Sequence, residues 1–144
     1  MKVLLTGSRR YIGTVMTPML LAEGYDVIGV DTNLFAACTL GKSVPSIPSL
    51  VKDIRDLEVD DLYGFDAVVH LAALSNDPLG DFNPEITYEI NHHATVQVAT
   101  LAKAAGVARF VFSSSCSTYG AAGDDFLDER AELHPVTPYG HAKV

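Results

Sequence analysis

Tyr139 and Lys143 stand four positions apart in the run Pro138-Tyr-Gly-His-Ala-Lys143, so on a helix a phenol and an ammonium would share one face. A free phenol has a pKa of about 10, too high for a base near neutrality. A neighbouring ammonium favours the phenolate and lowers that value, each unit corresponding to about 1.4 kcal/mol. Such a phenolate can take the proton of a substrate hydroxyl. Upstream, Ser113-Ser114-Ser115 supply hydroxyls, and Ser115 is placed to hold and orient the oxygen being deprotonated. Tyr and Lys at this spacing are common by chance, so the pair gains meaning only beside a group that accepts hydride.

The N-terminus supplies a candidate holder for that group. Thr6-Gly7-Ser8-Arg9-Arg10-Tyr11-Ile12-Gly13 follows an apolar run and opens a helical stretch, the context in which a glycine loop cradles a pyrophosphate. Gly7 permits the tight turn, and Gly13 lets the helix pack closely. Backbone N–H groups of the segment from Arg9 to Gly13 then face the phosphates. Asp31 stands 24 residues beyond Gly7 at the end of the second apolar run, where a carboxylate accepts both adenosine ribose hydroxyls and repels the 2′-phosphate of NADP. Arg9 and Arg10 pull the other way, because a guanidinium can accept that phosphate. The balance favours NAD. Asp53-Ile54 falls where a Rossmann half-domain borders the adenine. In Leu71-Ala72-Ala73, small side chains let a cofactor lie against strand ends, though plain packing explains them equally well.

These groups need a scaffold that brings strand ends and helix starts together. Val3–Leu5, Asp26–Val30, Leu50–Val51, Asp66–Leu71 and Arg109–Ser113 read as strands. Helices are expected from about Tyr11 to Glu23, capped by Gly24, and from about Pro84 to Ala105, with Asn83 as N-cap and Gly106 closing the end. On the second, Ile86, Ile90, Ala94, Gln97 and Leu101 fall on one face. Thr137-Pro138 opens a last helix that should carry both Tyr139 and Lys143. Pro18 should kink the first helix. Segment 32–48 is loop-like, with Gly41, Pro45 and Pro48. Strands separated by helices imply an α/β fold, a Rossmann-type doubly wound parallel sheet. The sheet reads as truncated after its fifth strand and the start of the catalytic helix, and residues 1–144 as one incomplete NAD(P)-binding domain.

The bulk properties agree with that class. The 144 residues carry a net charge of −8, which disfavours nucleic acid and anionic membranes as partners. Cys38 and Cys116 cannot form a disulfide framework, and no signal peptide or spanning apolar run is present, so a cytoplasmic protein is expected. His92-His93 are adjacent, point apart on a helix and lack a further ligand at metal spacing; surface histidines are expected, and no metal.

Taken together, TGSRRYIG, Asp31, Asp53-Ile54, HLAA, Asn91, SSSCSTYG (113–120) and PYGHAK (138–143) resemble the extended short-chain dehydrogenase/reductase family, in its NAD-dependent epimerase/dehydratase branch. The matching residues are spread over the whole chain in the family's order. The resemblance implies a nucleotide-sugar substrate, transient hydride transfer from a sugar carbon to NAD, and a homodimer in a full-length protein. It implies Ser115, Tyr139 and Lys143 as catalytic residues, Lys143 also binding the nicotinamide ribose. Asn91 and Ser113 would support the cofactor site, and Asp128-Glu129 would be structural. Two departures matter. The family loop usually has glycine where Arg10 stands, so either binding weakens or the guanidinium contacts the phosphates. Family 4,6-dehydratases place Asp-Glu where Cys116-Ser117 stand, which argues against 4,6-dehydration; Cys116 is expected to be a small buried residue. Rival readings are a non-catalytic dinucleotide-binding fragment or sensor, and an NADP-dependent reductase of the same family. The isolated chain is expected to be inactive and to self-associate through an exposed sheet edge.

Overall fold

The computed structural model describes residues 1–36, 38, 44–75, 77–120 and 126–144. Gly41, one of the loop signals, lies outside the described residues. In chain order the elements are β1 (Lys2–Thr6), α1 (Tyr11–Ala22), β2 (Asp26–Asp31), β3 (Ser49–Val51), β4 (Ala67–His70), α2 (Asp77–Phe82), α3 (Pro84–Tyr88), a π-helical segment (Glu89–His93), α4 (Ala94–Ala104), β5 (Arg109–Phe112) and α5 (Pro138–His141). Short 3-10 turns occupy Ile54–Asp56, Val59–Leu62 and Cys116–Tyr119. The chain divides into two compact units, Met1–Ala72 with Thr95–Ser113, and Ala73–Ala94 with Ser114–Val144.

The first unit is built on a five-stranded sheet of order β3-β2-β1-β4-β5 in which every pairing is parallel. Val3, Leu4, Leu5, Val27, Val30, Ala67 and Val68 are all buried, the unbroken apolar runs that a sheet covered on both faces requires. The strand order reverses between β1 and β4, and the carboxyl ends flanking that switch point are where open α/β sheets take ligands. Gly24 closes α1: the N–H of Tyr25 donates to Leu20 and that of Gly24 to Leu21, the 6→1 and 5→2 pair of a Schellman turn. α1 runs through Pro18 without a break in its helical assignment.

The second unit gathers α2, α3, the Ser115 turn and α5. α5 begins as expected, Pro138 at its first position and the Thr137 hydroxyl accepting from Gly140 N–H at 3.0 Å. It is only one turn long, however. It stops at His141, Ala142 caps it, and Lys143 lies in the turn beyond. The expectation that one helix carries both Tyr139 and Lys143 is therefore corrected.

The long helical run starts at Pro84 as expected, Asn83 capping it through Ile86 N–H. Its buried positions are Thr87, Asn91, Ala94, Val98 and Ala102; of the expected face of Ile86, Ile90, Ala94, Gln97 and Leu101, Ala94 alone is fully buried. Two causes combine. The five-residue π turn alters the phase of the spiral, and the buried polar members are satisfied internally, Thr87 by the Asn83 carbonyl and Asn91 by the backbone of Leu74.

Candidate active site

The glycine loop of the first unit has the geometry its sequence demands. Gly7 sits at φ +70°, and a Cβ there would come within 3.0 Å of Ala72 N, because the β1 and β4 ends approach backbone to backbone. At Gly13 a Cβ would fall 2.2 Å from the Gly7 carbonyl oxygen, so only glycine lets α1 start this close to the turn. Arg10 is the N-cap and makes no side-chain hydrogen bond to the first turn, whose N–H groups point out of the helix end. Tyr11 and Ile12 are 88% and 52% exposed, so their contribution there is backbone N–H.

At the end of β2, Asp31 is buried and its carboxylate accepts from Arg9 N–H at 3.1 Å and Asn33 N–H at 2.9 Å. Two acceptances leave a carboxylate with lone pairs to spare. Asn33 adopts φ +60°, and its Oδ1, the Thr32 hydroxyl and the Ser8 hydroxyl are buried without a hydrogen-bond partner. Such orphaned groups are rare unless a ligand completes them. They fit the hydroxyl-rich adenosine end of a dinucleotide, and sequence reasoning passed over all three.

Asp53 is otherwise engaged. It caps the turn Ile54–Asp56 and accepts from the backbone, Nε and Nη2 of Arg55; the side-chain bonds, with the Arg55 backbone and the more distant Arg10 charge, hold its carboxyl below the usual range despite partial burial. Ile54 is buried beneath it.

β4 ends at a fully buried histidine that sequence reasoning quoted without assigning it a role. His70 Nδ1 meets the Thr6 hydroxyl at 2.9 Å, Nε2 meets the Thr95 hydroxyl at 3.0 Å, and Phe112 stacks on the ring. The Thr6 oxygen also accepts from Leu71 and Ala72 N–H, both at 3.2 Å. Ser113 N–H donates to the His70 carbonyl.

The second unit holds the acid–base candidates. The Lys143 ammonium lies 5.9 Å from the centre of the Tyr139 ring. Lys143 is only 5% exposed, and that burial pulls its pKa down from 10.5 to about 8. Ser114 Oγ donates to the Lys143 carbonyl at 3.2 Å. Ser115 caps the turn Cys116–Tyr119: its Oγ accepts from Ser117 N–H and donates to Ser117 Oγ, both at 3.2 Å. A Cβ at Gly140 would meet Ser117 O at 2.8 Å, so the residue between Tyr139 and His141 must be small for α5 to lie on the serine turn. Asn91 is fully buried, its Oδ1 accepting from Leu74 N–H at 2.7 Å and its Nδ2 donating to Leu74 O at 2.8 Å; Ala73, half-buried, precedes that clamp.

Cys116 is exposed, correcting its expected burial; the buried position of that turn belongs to Thr118. Asp128 pairs with Arg130 on the surface. His92 and His93 stand edge to face, 5.2 Å between ring centres, on the π segment. Among the described residues, no helix is long and apolar enough to cross a membrane.

Residues 3–144 match the NAD dependent epimerase/dehydratase family. The chain is 34% identical over 149 residues to the UDP-glucose 4-epimerase of Streptomyces lividans, spanning 99% of this chain and 44% of that enzyme. Among solved structures, a dTDP-glucose 4,6-dehydratase from Streptomyces venezuelae with NAD bound superposes with a TM-score of 0.87 at 30% identity, covering 99% of this chain and 48% of that one. A UDP-glucose 4-epimerase from Stenotrophomonas maltophila, with bound NAD and formylated UDP-arabinopyranose, gives 0.87 at 29% identity, with 99% and 45% covered. The chain thus spans less than half the length of the proteins it matches.

Proposed function

The chain belongs to the NAD dependent epimerase/dehydratase family, an enzyme family, and on that premise we propose that it carries the cofactor-binding and proton-transferring parts of a nucleotide-sugar 4-epimerase. The observation that carries this reading is the buried Lys143 beside Tyr139 in a chain whose N-terminal loop and Asp31 suit a dinucleotide. When bound, NAD supplies a reversible hydride acceptor.

The first unit recognises the cofactor. The N–H groups at the start of α1 take the pyrophosphate. Asp31 accepts from the adenosine ribose, and Thr32 and Asn33 complete that end. Leu71-Ala72 and the backbone around Ser113 line the same sheet's carboxyl edge. In the second unit, Tyr139 takes the proton of the sugar hydroxyl as that carbon is oxidised to a carbonyl, and gives it back when the carbon is reduced on its other face. Lys143 holds its ammonium beside that ring. Ser115 hydrogen-bonds the reacting oxygen by turning its hydroxyl away from Ser117. Cys116 and Ser117 bring no carboxylate next to Ser115, which favours epimerisation over 4,6-elimination. The two exposed cysteines suit a reducing cytoplasm.

Tyr139→Phe tests the assignment. With UDP-glucose as substrate, turnover of the natural-length protein should fall roughly a thousandfold while NAD affinity stays within about twofold. Unchanged turnover in that variant removes Tyr139 from the mechanism.

A further inference from the structure

Arg10 is the N-cap of α1, and its side chain makes no hydrogen bond to the first turn. Its backbone N–H is taken by the Gly7 carbonyl at 3.1 Å. Its guanidinium carbon lies over the Phe35 ring, 5.1 Å from the centre. The same charge is one of the influences lowering the Asp53 carboxyl, after the dominant Arg55 contacts. The guanidinium is therefore seated on the segment after β2, through the ring of Phe35. The orphaned hydrogen-bonding groups of Thr32 and Asn33 belong to that same segment, directly after Asp31 closes β2.

We propose that Arg10, seated on Phe35, is a specificity residue for the adenine of the dinucleotide, stacking its planar guanidinium on the purine instead of binding the pyrophosphate. This rests on the dinucleotide reading above. A guanidinium is flat, weakly hydrated and has two faces. With Phe35 against one face, the other offers a purine an electron-poor plane. A lysine at this place keeps the charge and loses the plane, so the two roles separate by substitution. Recognition through stacking also explains how an arginine is tolerated at this loop position: its bulk is carried off the phosphate path and put to use at the other end of the ligand.

The test is calorimetric titration of the natural-length protein with NAD and, separately, with adenosine, which has no phosphate. Arg10→Ala should weaken both ligands by about tenfold, and Arg10→Lys should weaken both by about fivefold. Phe35→Leu, which removes the platform, should act in the same direction on both. Phe35 is 49% exposed, so that variant leaves the core intact. If adenosine binding is unchanged while NAD weakens, Arg10 serves the phosphates and the proposal is overturned. A lysine variant that binds both like the unsubstituted protein overturns it as well. Failure of the unsubstituted protein to bind NAD at all overturns instead the dinucleotide reading on which this one stands, and this one with it.

Discussion

Replacing Lys143 by methionine measures what its buried charge costs the fold. The side chain is 5% exposed and its pKa is drawn from 10.5 to about 8 by burial. That gap corresponds to about 3 kcal/mol of penalty on the charged form. The sign follows from linkage. Between the two values the unfolded chain holds a proton that the folded chain has released, so stability rises with pH across that window. The gain is complete above the unfolded value and is lost as pH falls through the folded one; below about 8 the full penalty applies. Urea unfolding followed by far-UV circular dichroism, at pH 7 and pH 9.5, should show the unsubstituted protein gaining about 2 kcal/mol relative to Lys143→Met over that interval. Parallel pH dependences of the two proteins would refute the reasoning. The same shift has a catalytic side. Near neutrality most molecules still carry the ammonium that the proposed function puts to use beside Tyr139, whereas a unit above the folded value most do not.

Two further substitutions test the frame around the site. Gly13→Ala forces a Cβ to within 2.2 Å of the Gly7 carbonyl; stability should drop by about 3 kcal/mol and NAD binding should be lost together with it, by calorimetric unfolding and titration. Asn91→Ala strips both backbone groups of Leu74 of their partners, costing about 3 kcal/mol in the same unfolding assay, and Asn91→Asp, which sets a buried carboxylate oxygen against the Leu74 carbonyl, should cost at least as much.

Much of this arrangement was written where local rules act alone. The strands were legible because a covered parallel sheet needs apolar runs such as Val3-Leu4-Leu5 and Ala67-Val68-Val69, and the helix ends because Gly24, Asn83 and Thr137 are cap residues. What escaped depends on partners distant in sequence. The buried face of the long helix includes Asn91, which counts as polar until Leu74 is seen to satisfy both ends of its amide. A π turn leaves no apolar period to read. Lys143 was placed on a helix because the spacing from Tyr139 suits one, yet its ammonium stays beside that ring from a turn beyond the helix end. Arg10 could not be aimed from sequence at all, since its direction is set by Phe35.

His70 shows how a buried polar group can serve a ligand it never meets. The Thr6 hydroxyl oxygen accepts from Leu71 and Ala72 N–H and lies 2.9 Å from His70 Nδ1. The other ring nitrogen, Nε2, lies 3.0 Å from the Thr95 hydroxyl. The whole ring is buried. Its effect is to tie the end of β1 to the turn after β4 through one hydroxyl. Ala72 N is also the atom that a Cβ on Gly7 would crowd. The spacing between loop and turn is thus set by hydrogen bonds already made and by contact already closed. A dinucleotide laid across these strand ends would meet a surface with little ordering left to do, which is how binding keeps the free energy that flexible loops give up.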